Sequence, residues 1–203
     1  MTVTRDRFEQ GMTYDEYKAQ MTRNRERLEE TERTLVLPAE DVEFFAQLPE
    51  TLNVLVLAED WCGDVINNVP VLARLAESGK LNLRLFLRDQ NPDIMDQYLN
   101  QGVHRSIPVF VFFDQEFREI DHWIERPAAI AEVQSRMLDD LFATEPVFAG
   151  IERGTSPALM PEDARLRLMQ AFATFRAETR EASDREVVRE LRALLQHHLA
   201  TSV

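Results

Sequence analysis

The segment Leu52 to Ala58 is apolar at nearly every position, the pattern of a strand covered on both faces. From Cys62 to Glu77 the pattern changes: Val65, Ile66, Val69, Leu72, Leu75 and Ala76 recur at helical spacing. Leu81 to Leu87 alternates apolar residues with Asn82 and Arg84, which predicts a second strand. Pro92, placed for a first helical turn, opens a short helix to Asn100. Val109 to Phe113 and Phe117 to Trp123 then read as hairpin strands joined by the turn Asp114-Gln115-Glu116. A helix opened by Pro127 runs to about Phe142, and one from Pro38 to Leu48 precedes the first strand. The order β-α-β-α-β-β-α implies an α/β fold, a central mixed sheet with helices on both faces.

Two regions flank this pattern. Residues 1–33 form an N-terminal extension in which one polar helix is expected from Thr13 to about Thr31. Thr13 and Glu16 have capping-box spacing, and Tyr14, Tyr17, Met21 and Leu28 make a narrow apolar stripe. Residues 34–145 carry the sheet. Residues 146–203 begin with a Gly- and Pro-containing linker and continue as two helices, about 162–179 and 184–199, with Ser183 and Glu186 as a second capping box. A two-helix hairpin is too small to be stable alone, so it is expected to pack on the domain or, as a homodimer contact, on a second copy of the chain.

The chain has 203 residues, 23 Lys plus Arg and 36 Asp plus Glu, for a net charge of −13. So acidic a surface repels phosphate backbones and anionic lipid, which argues against nucleic acid and membrane as partners. The first residues, Met-Thr-Val-Thr-Arg-Asp-Arg, have no apolar run behind them and do not read as a signal peptide. No apolar stretch approaches the length of a membrane-spanning helix. The expectation is a cytoplasmic protein, and a single cysteine, Cys62, suits a reducing compartment. One cysteine also excludes an internal disulfide, and no metal site is expected. His197 and His198 point about 100° apart on a helix and make a poor chelate.

Cys62 follows the first strand and opens the helix, so its sulfur belongs at a helix N-terminus, where unpaired N–H groups favour a thiolate. The segment Ala58-Glu59-Asp60-Trp61-Cys62-Gly63-Asp64-Val65 resembles the active-site segment of the thioredoxin superfamily, in which Trp-Cys-x-x-Cys opens the second helix. Pro70 matches the proline that superfamily carries later in the same helix, and Ile107-Pro108 resembles its cis-proline loop. Cys-Gly-Asp with Asn68-Val69-Pro70 is similar to a bacterial thioredoxin-like subfamily. The resemblance covers about residues 34–145. It implies a thioredoxin-like fold with Cys62 as nucleophile. Substrate would then bind through Trp61, Gly63, Asp64, Arg105, Ile107 and Pro108, with an extended segment pairing to the backbone at Ile107.

Two departures alter the chemistry. Val65 stands where the resolving cysteine would be, and the strand Leu55-Val56-Leu57 has no acid to serve that thiol. A mixed disulfide on Cys62 therefore needs an external thiol to resolve it. The helix end favours the thiolate by about 0.3–1 kcal/mol. Glu59, Asp60 and Asp64 oppose it, while Arg105 and His104 are expected near the sulfur and on its side. The expected net is at best a modestly lowered thiol pKa.

The leading function is monothiol thiol–disulfide exchange on a protein or small-molecule disulfide, with a low-molecular-weight thiol such as glutathione as co-substrate and no bound cofactor. Two alternatives stand beside it. One is a non-catalytic thioredoxin-fold scaffold using its cis-proline face or terminal helices. The other is a glutathione-dependent transferase with Arg105 on the tripeptide's carboxylate. Asp60 and Asp64 read as ordinary acidic residues of a first helical turn in preference to acid–base groups, and the phenylalanines at 110, 112 and 113 as sheet core.

Overall fold

Strand β1 (Leu52–Ala58) has no exposed position and is the centre of the sheet in the computed structural model, which describes residues 3–201. Its neighbours are β2 (Leu81–Leu87), parallel to it, and β3 (Val109–Phe113), antiparallel; β4 (Glu119–Ile124) pairs antiparallel with β3. The order β2-β1-β3-β4 makes a mixed four-stranded sheet. Helices flank it, as in the thioredoxin-like α/β fold. β3 contributes five buried residues, Val-Phe-Val-Phe-Phe, against the same core. β4 starts at Glu119 rather than Phe117, because Phe117 has a left-handed φ of 64° and turns its ring to stack on Phe113 at 4.5 Å.

The N-terminal region is broken where one helix is expected. It forms α1 (Arg5–Phe8), α2 (Tyr14–Gln20) and α3 (Arg25–Thr34), followed by α4 (Ala39–Ala46). The capping box of Thr13 and Glu16 does form and starts α2. The chain leaves helical geometry at Met21, and Asn24 adopts a left-handed φ of 54° before α3 begins. What holds this break open is an acceptor outside the segment, Asp60, treated below. Tyr17 and Leu28 are fully buried in the sheet's own core, and Met12 exchanges two backbone hydrogen bonds with Leu85 on the open edge of β2 (2.9 and 2.8 Å). The segment expected to be an extension is therefore part of the domain, and it covers an edge that would otherwise be unpaired.

Helix α5 (Gly63–Ala76) follows β1 and buries Val65, Ile66, Val69, Leu72 and Leu75, as the spacing predicts. The helix expected over 92–100 shrinks to α6 (Pro92–Met95). The chain leaves helical geometry after the cap Asp96, and a bridge between Asn100 and His104 with positive φ at Gln101 and Gly102 forms a separate turn beyond it.

The described residues divide into two compact units. One comprises the chain up to Arg126 together with residues from Val187 onward; the other is Pro127–Glu186. The second holds α7 (Ala128–Thr144) and the first part of α8 (Glu162–Thr201) around its own small core of Leu141, Phe148, Met160, Ala164, Leu168 and Ala171. The expected boundary at residue 145 is thus not where contacts separate.

The expected C-terminal hairpin does not form: α8 is one helix of 40 residues. The stretch Glu181-Ala182-Ser183-Asp184 holds no Gly or Pro, so nothing stops propagation. Arg180 and Asp184, one turn apart, form an ion pair at 2.9 Å across the expected break. Ser183 is buried inside the helix instead of capping it. No described helix is long and apolar enough to cross a membrane.

Candidate active site around Cys62

The register of the sheet assembles the site. Ala58, ending β1, pairs with Leu87, ending β2; Leu57 pairs with Val109, which starts β3; and Val109 pairs with Ile124, which ends β4. Four chain segments therefore leave or enter the sheet at one end: 59–62, Arg88 and Asp89, 107–108, and Glu125 with Arg126. Cys62 is the N-cap of α5, with an extended backbone (φ −85°, ψ 122°). Its half-buried thiol donates to the carbonyl oxygen of Ile107, Sγ to O 3.5 Å. The Ile107–Pro108 peptide is cis, and Pro108 is buried against the start of β3.

The electrostatic balance differs from the expectation of a lowered thiol pKa. Burial pushes the Cys62 thiol up to about 11, and the Asp64 carboxylate adds to that push. The backbone N–H groups of Val65 and Asp64 favour the thiolate, as does the charge of Arg126, but together they do not offset loss of solvent. The helix end is thus present, and desolvation outweighs it.

Most expected site residues come together. Trp61 is exposed on the rim, and the Arg88 guanidinium lies over its ring at 4.8 Å. Gly63 and Asp64 form the first turn of α5. Arg105 does not join them: its guanidinium is paired with Asp96 at 2.7 Å and exposed, and only its backbone carbonyl is tied to the site, through Arg88 at 3.0 Å. The cation that acts on the sulfur is Arg126. It is largely buried, bonded to Asp64 at 2.5 Å and paired with Glu125. Asn68 and Asn100 complete this cluster, donating to the Glu125 carbonyl (2.9 Å) and carboxylate (3.0 Å). No motif marks Arg126, and hairpin arithmetic brings the chain back to the right end of the sheet but stops short of it. Pairing across the turn at 114–116 would bring residue 122 beside Pro108, and the later start of β4 with the register shift at Phe112 and Phe113 moves that place to Glu125, next to Arg126. Among the described residues, no group of three or more His, Cys, Asp or Glu side chains is placed to hold a metal ion.

Asp60 has a structural task. One carboxylate oxygen accepts from the Thr22 backbone (2.7 Å), the Thr22 hydroxyl (3.1 Å) and the Arg23 backbone (2.9 Å), while Asn24 donates to the Asp60 carbonyl (2.8 Å). This staple fixes the α2–α3 break to the loop that carries Trp61 and Cys62. Asp60→Ala removes three bonds to an ionised acceptor. The freed donors are at the surface and regain water, so the expected loss is about 1–2 kcal/mol rather than the full sum. Urea midpoints measure that loss, and limited proteolysis should cut first between residues 20 and 25. An unchanged midpoint and cleavage pattern would show that the staple contributes nothing.

A family model described as thioredoxin matches residues 11–139, so the match takes in the N-terminal segment carrying α2 and α3. Among solved structures, one of a protein of unknown function from Pseudomonas aeruginosa is similar, with 17% identity and a TM-score of 0.68. It covers 97% of this chain and 99% of its own. A second, described as an HIV epitope-scaffold, has 14% identity and a TM-score of 0.62, with 94% of this chain and 95% of its own covered. These likenesses concern the fold. No curated protein matches the chain.

Proposed function

The chain belongs to the thioredoxin family, and from that premise we propose that it performs monothiol thiol–disulfide exchange through Cys62 in the cytoplasm. The Cys62 thiolate attacks one sulfur of a protein or small-molecule disulfide. A new S–S bond forms, and the other sulfur leaves as a thiolate that takes up a proton. An external thiolate, from a low-molecular-weight thiol such as glutathione, then attacks the adduct, leaves as the new mixed disulfide and returns Cys62. The observation carrying this reading is the placement of a half-buried sulfur at the N-cap of α5, 3.5 Å from the Ile107 carbonyl, with buried Val65 in place of a second thiol. Ile107 offers backbone for an extended substrate to pair with, and Trp61 supplies an apolar wall beside it.

Incubation with oxidised glutathione and intact mass tests the reading. A thiol with a pKa of about 11 is ionised to only a few parts in ten thousand near pH 7.5. A single glutathionyl addition is expected, slow at neutral pH and about tenfold faster per pH unit below the thiol pKa. No addition up to pH 10 would overturn the assignment.

The raised thiol pKa favours a second reading, a thioredoxin-fold scaffold that binds a partner through the same face without chemistry. Partner capture unchanged by Cys62→Ser is its signature.

A further inference from the structure

Glu59 is a buried carboxylate in the loop that carries Trp61 and Cys62. A charge taken out of water is costly to keep, so its bonds call for an explanation. Its backbone carbonyl accepts the Cys62 N–H at 3.2 Å, and its carboxylate accepts the Asp89 N–H at 2.9 Å, in the turn that follows β2. Burial pushes the carboxyl up, while the Asp89 N–H and the Arg88 charge counter that. Glu59 thus fixes residues 88 and 89 beside the cysteine loop, and Arg88 is the side chain that this places. Its Nε and Nη2 close on one Asp89 oxygen (2.8 and 2.7 Å), and its Nη1 donates to the Arg105 carbonyl at 3.0 Å. The same guanidinium lies over the Trp61 ring, 4.8 Å from the centroid. One mostly covered side chain therefore joins three of the segments that meet at this end of the sheet: the cysteine loop, the turn after β2 and the loop entering Ile107–Pro108.

We propose that Arg88 is a positioning residue that sets the two walls of the substrate groove, holding the Trp61 ring on one side and the backbone leading into Ile107 on the other. Arg105 lies two residues before Ile107, so fixing its carbonyl fixes the edge to which an extended segment pairs. A planar fork can grip a carboxylate and a carbonyl while stacking on an aromatic face, which the point charge of a lysine cannot. The substrate class that gains from such walls is a protein or peptide disulfide, whose chain runs past the sulfurs on both sides. A small disulfide meets the thiol alone. The charges that act most on that thiol are Asp64 and Arg126, so Arg88 shapes what reaches the sulfur and leaves the sulfur's own reactivity in place. The inference rests on the monothiol reading for the exchange step and adds to it the kind of disulfide exchanged.

The test is Arg88→Met, read at pH 9 with insulin and with bis(2-hydroxyethyl) disulfide. In each case one sulfur of the disulfide bonds to Cys62 and its former partner leaves as a thiol, and intact mass reports a single site because the chain has one cysteine. Adduct formation with insulin should fall about tenfold, while the small disulfide and iodoacetamide react within about twofold of the parent rate. Arg88→Lys should not restore the insulin rate. Protein labelled with fluorotryptophan gives one fluorine signal for each of its two tryptophans. The Trp61 signal should shift and narrow in Arg88→Met as the ring is released. The signal of buried Trp123, whose indole N–H is bonded to Glu190 at 2.7 Å, should stay in place and shows that the variant is folded. An undiminished insulin rate, an equal fall with both disulfides, full rescue by lysine or an unmoved Trp61 signal each overturns the proposal. Should the parent form no adduct with either disulfide, the monothiol reading falls, and the fluorine signal still decides whether Arg88 holds the wall.

Discussion

Asp64→Asn should make Cys62 about ten times more reactive toward iodoacetamide at pH 8. Asp64 is the charge that most strongly opposes the thiolate, and it also engages the one cation that favours it, holding Arg126 at 2.5 Å. Two unit charges about 5 Å apart at an effective dielectric near 20 interact by roughly 3 kcal/mol, reduced where water reaches them. A shift of about one pH unit uses less than half of that. The substitution removes the opposing charge and leaves Arg126 balanced by Glu125 alone, so both changes lower the thiol pKa from about 11. The Val65 and Asp64 backbone N–H groups that support the thiolate are retained. The sign for stability is opposite: α5 loses an acidic residue in its first turn and Arg126 loses a partner, together about 1 kcal/mol. A faster-labelling, slightly less stable protein is the expected pair of results. An unchanged labelling rate would mean that burial alone holds the thiol protonated.

The strands and α5 were legible because each is specified by its own residues. A run such as Leu52–Ala58 has no other way to be buried, and the Val65–Ala76 periodicity has only one apolar face. The place of Cys62 followed from those two elements meeting. The thiol's pKa did not, because it depends on burial by the folded chain and on groups distant in sequence such as Ile107 and Arg126. The same holds at the termini. Nothing in Met21-Thr22-Arg23-Asn24 forbids a helix. The break exists because Asp60, distant along the chain, binds two of its N–H groups more strongly than a helical turn would. Conversely, Ser183 and Glu186 have the spacing of a cap, but a cap forms only where the chain has a reason to stop, and the partly buried Arg180–Asp184 pair continues the helix through it. Arg105 was misplaced for a related reason. Its position in the loop before Pro108 was right, and Asp96, not the sulfur, took its guanidinium.

Val65→Cys is expected to reduce insulin in the presence of dithiothreitol at a rate well above that of the parent, which lacks a resolving thiol. Val65 is fully buried in the first turn of α5, three residues beyond Cys62. Side chains at the N-cap and at the third helical position of such a turn meet, which is the geometry a capping box exploits. The introduced thiol would attack the mixed disulfide on Cys62, form a disulfide with it and expel the substrate as a thiolate. That step needs no external resolver. Replacing two methyls with one sulfur in a packed site costs about 1 kcal/mol, small beside a whole domain's stability. Strand β1 (Leu52–Ala58) carries no carboxylate or other side chain able to accept the new thiol's proton, so turnover should be slow and should rise with pH. After oxidation the variant should lose all iodoacetamide labelling, a readout independent of insulin. If the disulfide closes and insulin is still not reduced, the substrate face itself is inert and the scaffold reading prevails. If turnover appears, then a missing sulfur is all that separates this site from a dithiol enzyme, and Cys62 is a nucleophile in the parent as well.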